Sequence, residues 1–290
     1  MSKRKRKNRN VKTKVKTNVK TNSLVDIIIP VHNVFGIFQK GLDSIPDALE
    51  DIPYTVIIVD NASNKEEADE FYSKIIERNY KVIRNKENQG FAKTCNQGAM
   101  RGYSPLLFFL NSDVVLEKGS VKQLISNIYN EGSFVDKIGI VGMKLLFPIE
   151  SPLPSNVRPP GKVQHVGLTT NIRGEFPHIL IGWSSDNPRV NRVRDVMAVT
   201  GAALLTRRDL FNKVGRFHEG YGKGTFEDVD LAFSMRKIGY NSIVDTKAVG
   251  YHYTNATSVT YGINFPTQVN KMLFMQRWGQ DMYWDEWRHW

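Results

Sequence analysis

Three short clusters in this 290-residue chain carry residue types that could handle a charged, oxygen-rich ligand. Asn111-Ser112-Asp113 follows the apolar run Leu106–Leu110. Five apolar residues in a row suit a strand buried on both faces of a parallel sheet, so the tripeptide stands where the chain leaves the sheet. A carboxylate held there suits a divalent cation, whose preferred ligands are hard oxygens. The same residue types also favour turns for local reasons. Asp60 closes a second apolar run, placed to accept from a ribose hydroxyl or a base, or to cap the next helix. Glu227, Asp228 and Asp230 open a segment whose Leu231, Met235 and Ile238 share a helical face. Acids in a first helical turn also favour the helix dipole.

The elements that must position these clusters alternate. Val25–Pro30, Thr55–Asp60, Lys81–Arg84 and Leu106–Leu110 read as strands, and Phe35–Leu49, Lys65–Arg78, Phe91–Arg101 and Gly119–Tyr129 as helices. Such alternation predicts an α/β fold, a doubly wound and mostly parallel sheet with helices on both faces. In that sheet the ends Pro30–Asn33, Asp60–Ser63 and Asn111–Asp113 converge on one edge, where ligands bind. No G-x-G-x-x-G follows the first strand and no G-K-[ST] occurs, which excludes dinucleotide and P-loop chemistry. Further strands are expected at Ile138–Lys144, Val163–Leu168, Asn241–Asp245 and Ala248–His252. Another is expected over Asp195–Leu205, interrupted at Gly201-Ala202-Ala203. Phe147–Gly161 holds five prolines and reads as a loop. Arg208–Val214 reads as a helix, and Gly215–Thr225, with four glycines in eleven residues, as a mobile lid.

Formal charge is +11, but residues 1–22 hold ten Lys or Arg and no acid, so 11 − 10 leaves about +1 for the rest. Residues 1–23 are polar and low in complexity, and read as a disordered tail that holds an anionic membrane or is merely solvated. No recognition helix or zinc motif follows, so specific nucleic-acid binding is not expected. The lone Cys95 fits a reducing compartment. No stretch is apolar enough for a membrane span or a signal peptide, which predicts a cytoplasmic protein, peripheral at most on the cytoplasmic face of a membrane. The sequons at Asn61 and Asn255 therefore carry little weight. The expected organisation is a tail (1–23), a domain (24–261) whose two parts, 24–116 and 117–261, differ in pattern, and an extension (262–290). That extension holds Trp278, Trp284, Trp287 and Trp290 and reads as an amphipathic helical segment that packs on the domain or touches a membrane interface.

Taken in order, VDIIIPVHN, VIIVDNAS, NQGFAKTCNQG, LNSD, VTGAALLTRR, FEDVDLAFSMRKIGY and the histidine of GYHY resemble the inverting glycosyltransferases of family 2. The similarity is greatest to the subgroup with rhamnosyl- and galactofuranosyl-transferases, and it runs over roughly Val25–Thr260. It implies a GT-A fold and transfer of a sugar from a UDP- or dTDP-linked donor to a glycan or lipid-linked acceptor, as in polysaccharide biosynthesis. By that similarity Pro30, Asn33, Asp60, Asn61, Ser63 and Asn111 would line the nucleotide sugar, bordered by Asn88, Gly90, Phe91 and Asn96. Asp113 and His252 would hold Mn2+ or Mg2+. Asp228 would be the general base with Glu227 beside it, and Gly201, Ala202 and His218 would meet the acceptor.

Two features depart from the family's pattern. Asn111-Ser112-Asp113 stands where Asp-x-Asp is usual, leaving one carboxylate for a cation. His218-Glu219 stands where an Asp-Glu pair is commoner. The residues alone support the same chemistry, since sugar transfer needs a cation at the departing diphosphate and a carboxylate for the acceptor's proton. A sugar-phosphate nucleotidyltransferase would instead want a basic, glycine-rich loop after the first strand, which Val31–Phe35 does not offer. An inactive glycan-binding module on the same fold is the non-enzymatic alternative.

Overall fold

Leu106–Leu110 (β4) is buried at every position because it lies inside a sheet covered on both faces. The computed structural model describes residues 23–129, 137–150, 159–253, 265–285 and 288–289. Next to β4 runs Val25–Val31 (β1), then Tyr54–Asp60 (β2) and Lys81–Arg84 (β3), all parallel. Successive side chains leave a strand on opposite faces. Ile27, Ile29 and Phe108 therefore pack with Phe38, Leu42 and Ile45 of the helix Phe35–Leu49 (α1). Ile28, Ile57 and Phe109 pack with Ala92, Cys95 and Ala99 of the helix Phe91–Ala99 (α3) on the other face. Lys65–Lys74 (α2) makes the remaining crossover, capped by Asn64, whose side chain accepts from the N–H groups of Glu66 and Glu67.

Beyond β4 the sheet continues through Ala203–Arg207 (β9), Ile138–Leu146 (β6), Asn241–His252 (β10) and Val114–Leu116 (β5). Six of these eight strands share the direction of β1. The other two are β9, antiparallel to β4 and β6, and β5, antiparallel to β10. Val163–His165 (β7) and Arg194–Val196 (β8) add short antiparallel pieces to β6 and β10. The mostly parallel, two-faced sheet is as expected, and the reversed β9 is the part that alternation could not foretell. It joins β4 to the strands beyond through the ladder of Leu106–Leu110 against Ala203–Arg207.

Several boundaries differ from the sequence reading. The helix expected over Lys65–Arg78 breaks at Ile75 and resumes as a 3-10 turn, Ile76–Arg78. The two strands expected in residues 241–252 are one, with a register shift between Asp245 and Val249 that absorbs the extra residues as a bulge. The strand expected over Asp195–Leu205 is two, β8 and β9, and the residues between them, Met197–Ala202, turn through the site edge. Ser120–Ile128 (α4), Arg208–Lys213 (α5) and Glu227–Lys237 (α6) complete the domain helices.

Thr267–Trp278 (α7) packs on the domain, with Phe274 and Trp278 buried against Phe233. Its polar anchor is Asp230, itself almost wholly buried. Asp230 accepts from Tyr221 Oη at 2.8 Å, Arg277 Nε at 2.7 Å and Trp278 Nε1 at 2.7 Å. Among the described residues, no helix is long and apolar enough to cross a membrane. The basic tail, Asn255, Trp287 and Trp290 lie outside the described residues, as does part of the proline-rich stretch.

Candidate active site

The strand ends do converge, on a cavity of about 670 Å3. Eleven of the residues singled out from sequence line it: Pro30, Asn61, Asn88, Phe91, Asn111, Asp113, Gly201, Ala202, Glu227, Asp228 and His252. Asn33, Asp60, Ser63, Gly90, Asn96 and His218 do not; they brace the walls. A second hollow of about 700 Å3, near Asp43, Tyr54 and Arg78, lies away from these strand ends and gathers none of these residues.

The first wall is built by amide side chains. Asn33 sits at φ 60°, a left-handed conformation that Asn tolerates. Its N–H donates to Ser63 Oγ at 2.8 Å and its Oδ1 accepts from Asn64 N at 2.8 Å. Asp60 accepts from Ser63 N at 2.9 Å and pairs with Arg84 Nε at 3.1 Å. Asp60 thus locks the turn after β2. Asn61 faces the cavity, its Nδ2 donating to Asn88 Oδ1 at 2.8 Å and its Oδ1 accepting from Gln89 N at 2.8 Å. His32 Nδ1 lies 3.0 Å from the Asn61 carbonyl.

Gly90 needs to be glycine twice over. Its φ is +79°, and a Cβ there would stand 1.9 Å from the carbonyl oxygen of Gly222. This contact brings the glycine-rich segment against α3. Asn96, buried inside α3, fastens the same segment by donating to Phe217 O at 2.9 Å and Glu219 Oε1 at 3.0 Å. From the far side, Asn270 of α7 donates to Gly224 O at 2.6 Å. The stretch expected as a loose lid is therefore pinned on both flanks. Its glycines serve turns at positive φ, as at Gly222 (60°) and Gly224 (138°). His218 lies on its outer side, accepting from Gly220 N and packing edge-on against Tyr221.

The second wall carries Asp113 and His252. Tyr251 and His252, at the end of β10, pair with Val115 and Val114 of β5. This pairing brings His252 Nε2 to 3.2 Å from Asp113 Oδ1. Gln164 orients the ring, its Oε1 lying 2.7 Å from His252 Nδ1 while its Nε2 donates to the His252 carbonyl at 3.0 Å. An oxygen and an imidazole fit Mn2+ or Mg2+ when phosphate and water supply the other ligands. No cluster of three or more acidic, histidine or cysteine ligands occurs among the described residues, so the protein's share of such a site is small.

The third wall is the start of α6. Thr225 and Phe226 adopt consecutive positive φ values of 80° and 73°, a costly turn for non-glycine residues that aims the next two side chains inward. Asp228 Oδ2 accepts from Gly201 N at 2.9 Å and Oδ1 from its neighbour Val229 N at 2.8 Å. Burial raises the Asp228 carboxyl above its usual range, opposed by those two N–H groups. Glu227 is pushed up to about 8, by burial first and by the charge of Asp228 second. Its Oε2 is buried without a hydrogen-bond partner among the described residues. Two adjacent carboxyls thus differ sharply, one braced as an acceptor and the other held neutral.

Sequence reasoning missed His178, Thr200, Lys223 and Phe265, which also line the cavity. His178 lies against His165, which is buried behind it. Burial lowers both imidazoles, His178 to about 4. Neither histidine belongs to a motif with fixed spacing, so only the pairing of chain segments reveals them.

The family model for glycosyl transferase family 2 matches residues 26–186. The chain belongs to that family. Its curated relatives include the uncharacterized protein y4gI of Sinorhizobium fredii, 24% identical over 81% of this chain and 25% of that protein. The O-antigen biosynthesis protein RfbC of Myxococcus xanthus is 23% identical over 80% of this chain and 17% of its own length. The chain thus spans a quarter or less of these relatives. Among solved structures it resembles the mannosyltransferase PcManGT of Pyrobaculum calidifontis, in complex with GDP-Man and Mn2+. That likeness has a TM-score of 0.55 at 15% identity, over 79% of this chain and 56% of the other. It bears on the fold, which is of the GT-A type.

Proposed function

We propose that the chain is an inverting glycosyltransferase that moves a sugar from a nucleotide diphosphate donor, UDP- or dTDP-linked, to a hydroxyl of a glycan or lipid-linked acceptor. The observation that carries this reading is that Asp113 with His252, and Asp228, open onto one cavity from three different elements. Asn61 and Asn88 offer the nucleotide end amide groups to pair with, and Asn111 stands beside Asp113. Asp113 and His252 would hold a divalent cation, which would supply positive charge to the departing diphosphate.

Asp228 takes the proton of the acceptor hydroxyl as its oxygen forms a bond to the anomeric carbon. The bond from that carbon to the diphosphate oxygen breaks, and its electron pair leaves with the nucleotide diphosphate. Attack opposite the leaving group inverts the anomeric centre. Gly201 and Val229 N–H groups hold Asp228 in line, and their hydrogen bonds favour its ionised form despite burial. Neutral Glu227 keeps a second negative charge away from the base.

The likeness to a structure holding GDP-Man and Mn2+ supports including guanosine donors in the test. Purified protein with Mn2+ and a panel of UDP-, dTDP- and GDP-sugars should release one nucleoside diphosphate by slow hydrolysis. No release and no thermal stabilisation by any member would reject the reading, since ligand at 100 times its Kd stabilises by about 2.7 kcal/mol.

A further inference from the structure

Beside Thr200 and Gly201 the Nδ1 atoms of His165 and His178 stand 2.9 Å apart. The backbone N–H of Thr200 donates to His165 Nε2 at 3.3 Å. A peptide nitrogen can only donate, so His165 keeps its lone pair on Nε2 and its proton on Nδ1. That proton is given to Nδ1 of His178, which leaves the hydrogen of His178 on Nε2. The tautomers are thus assigned by the hydrogen-bond pattern. His178 lines the cavity, and no described residue accepts from its Nε2.

The next peptide N–H, that of Gly201, donates to Asp228 Oδ2 at 2.9 Å. One dipeptide therefore donates both to His165, which fixes the tautomer of His178, and to the carboxylate proposed as base. A donor and an acceptor that line one cavity can meet two neighbouring hydroxyls of a sugar, since one hydroxyl can accept while the other gives up its proton. A neutral imidazole suits a neutral hydroxyl, whereas the charged diphosphate would be served by a cation held at Asp113 and His252. We infer that His178 Nε2–H binds the acceptor-sugar hydroxyl next to the one Asp228 deprotonates, with His165 as the positioning residue that fixes the tautomer. This inference rests on the glycosyltransferase reading above.

Two measurements test it. In protein labelled with nitrogen-15 histidine, long-range proton–nitrogen spectra should show His178 protonated at Nε2 and His165 at Nδ1. A His178 protonated at Nδ1, or at both nitrogens, overturns the assignment. In kinetics with the nucleotide-sugar panel and methyl glycosides as acceptors, His178→Leu should lower transfer by about 10- to 100-fold. The loss should fall on the acceptor KM, while donor hydrolysis by water and binding of UDP with Mg2+ stay unchanged. Removing the adjacent hydroxyl from the acceptor should cost wild type the same factor and the variant little.

His178→Gln, whose amide nitrogen can stand near Nε2, should recover most of the transfer. His165→Asn, whose amide can replace Nδ1–H, should be mild, whereas His165→Leu should impair acceptor KM in a protein that still melts cooperatively. Wild-type transfer by His178→Leu overturns the inference. So does lost UDP–Mg2+ binding in that variant, which would place the hydrogen bond on the diphosphate. A wild type that neither hydrolyses a donor nor binds UDP with Mg2+ sinks the glycosyltransferase reading and this inference with it, even with the tautomers as assigned.

Discussion

His252 Nε2 stands 3.2 Å from Asp113 Oδ1 although the two residues belong to neighbouring segments that run in opposite directions. The antiparallel pairing of β5 with β10 sets that approach, so the site is fixed by sheet register rather than by a loop. We expect Asp113→Ala to reduce turnover to about 1% or less, because lost cation stabilisation of a leaving diphosphate is worth several kcal/mol. Excess EDTA should do the same to the wild type. Full turnover in EDTA would show that basic side chains, such as Lys223 in the cavity wall, stabilise the leaving group instead.

Asp228→Asn keeps the shape and one acceptor oxygen but cannot take a proton. Transfer should fall by about 10²–10⁴-fold, the usual contribution of a positioned general base. Donor affinity should hold, because the donor does not depend on this carboxylate in the proposed mechanism. Glu227→Gln should be milder, as it replaces a neutral acid by a neutral amide. A near-normal Asp228→Asn alongside a dead Glu227→Gln would reverse the assignment.

Glu227 also gives stability a pH dependence. The folded protein holds its proton to about pH 8, whereas an unperturbed glutamate loses it near 4.5. Between those values the folded state binds more protons than the unfolded chain, so stability falls as pH rises, by at most about 1.4 kcal/mol per pH unit. Glu227→Gln removes the titrating group. Urea melts across pH 5–8 should therefore give a flatter profile for the variant; parallel profiles would mean that Glu227 is ionised in the fold.

Much of this architecture was legible in sequence, and its limits have physical causes. Continuous apolar runs such as Leu106–Leu110 and Thr55–Asp60 announce buried parallel strands, and their polar ends fall on one edge by topology. β9 was not legible as a reversed strand, because Ala203–Arg207 has the same composition whichever way it runs. Composition also misled about residues 215–225, where glycines reflect positive φ and close backbone approach. The bracing roles of Asp60 and Asn96 are tertiary: nothing local tells a ligand contact from a hydrogen bond to Arg84 or Phe217. The His165–His178 pair depends on the isolated bridge between Leu168 and His178, which no motif announces.

The anchor between α6 and α7 should matter for stability at a distance from the chemistry. Asp230→Ala strands Trp278 Nε1 and Tyr221 Oη, and separates Arg277 from its partner. Arg277 is a third exposed, so the cost should be about 2–3 kcal/mol rather than that of a fully buried pair. Thermal melts would check this. A change under about 0.5 kcal/mol, the scale of ordinary surface substitutions, would mean that α7 is not held by this cluster.

Residues 1–22 should matter only at a surface. Their ten cations and no acid give an attraction to anionic vesicles of roughly 1 kcal/mol per cation near the bilayer, screened by salt. A chain lacking them should fold and hydrolyse donor normally but lose vesicle binding at low salt. Equal binding with and without the tail would dismiss the membrane role.

The Asp230 cluster also sets an order of events during synthesis. Asp230 and Trp278 are 48 residues apart, and the indole and guanidinium that satisfy this acid are made last of the group. At about 5–20 residues per second, roughly 2–10 s separate the emergence of the acid from that of its partners. During that interval a buried position for Asp230 would leave its charge without Arg277 and Trp278. We expect Asp230, three residues beyond Glu227, to settle only after α7 has docked. The nascent chain completes β1 to β4 well before α7, which supplies these partners, is made.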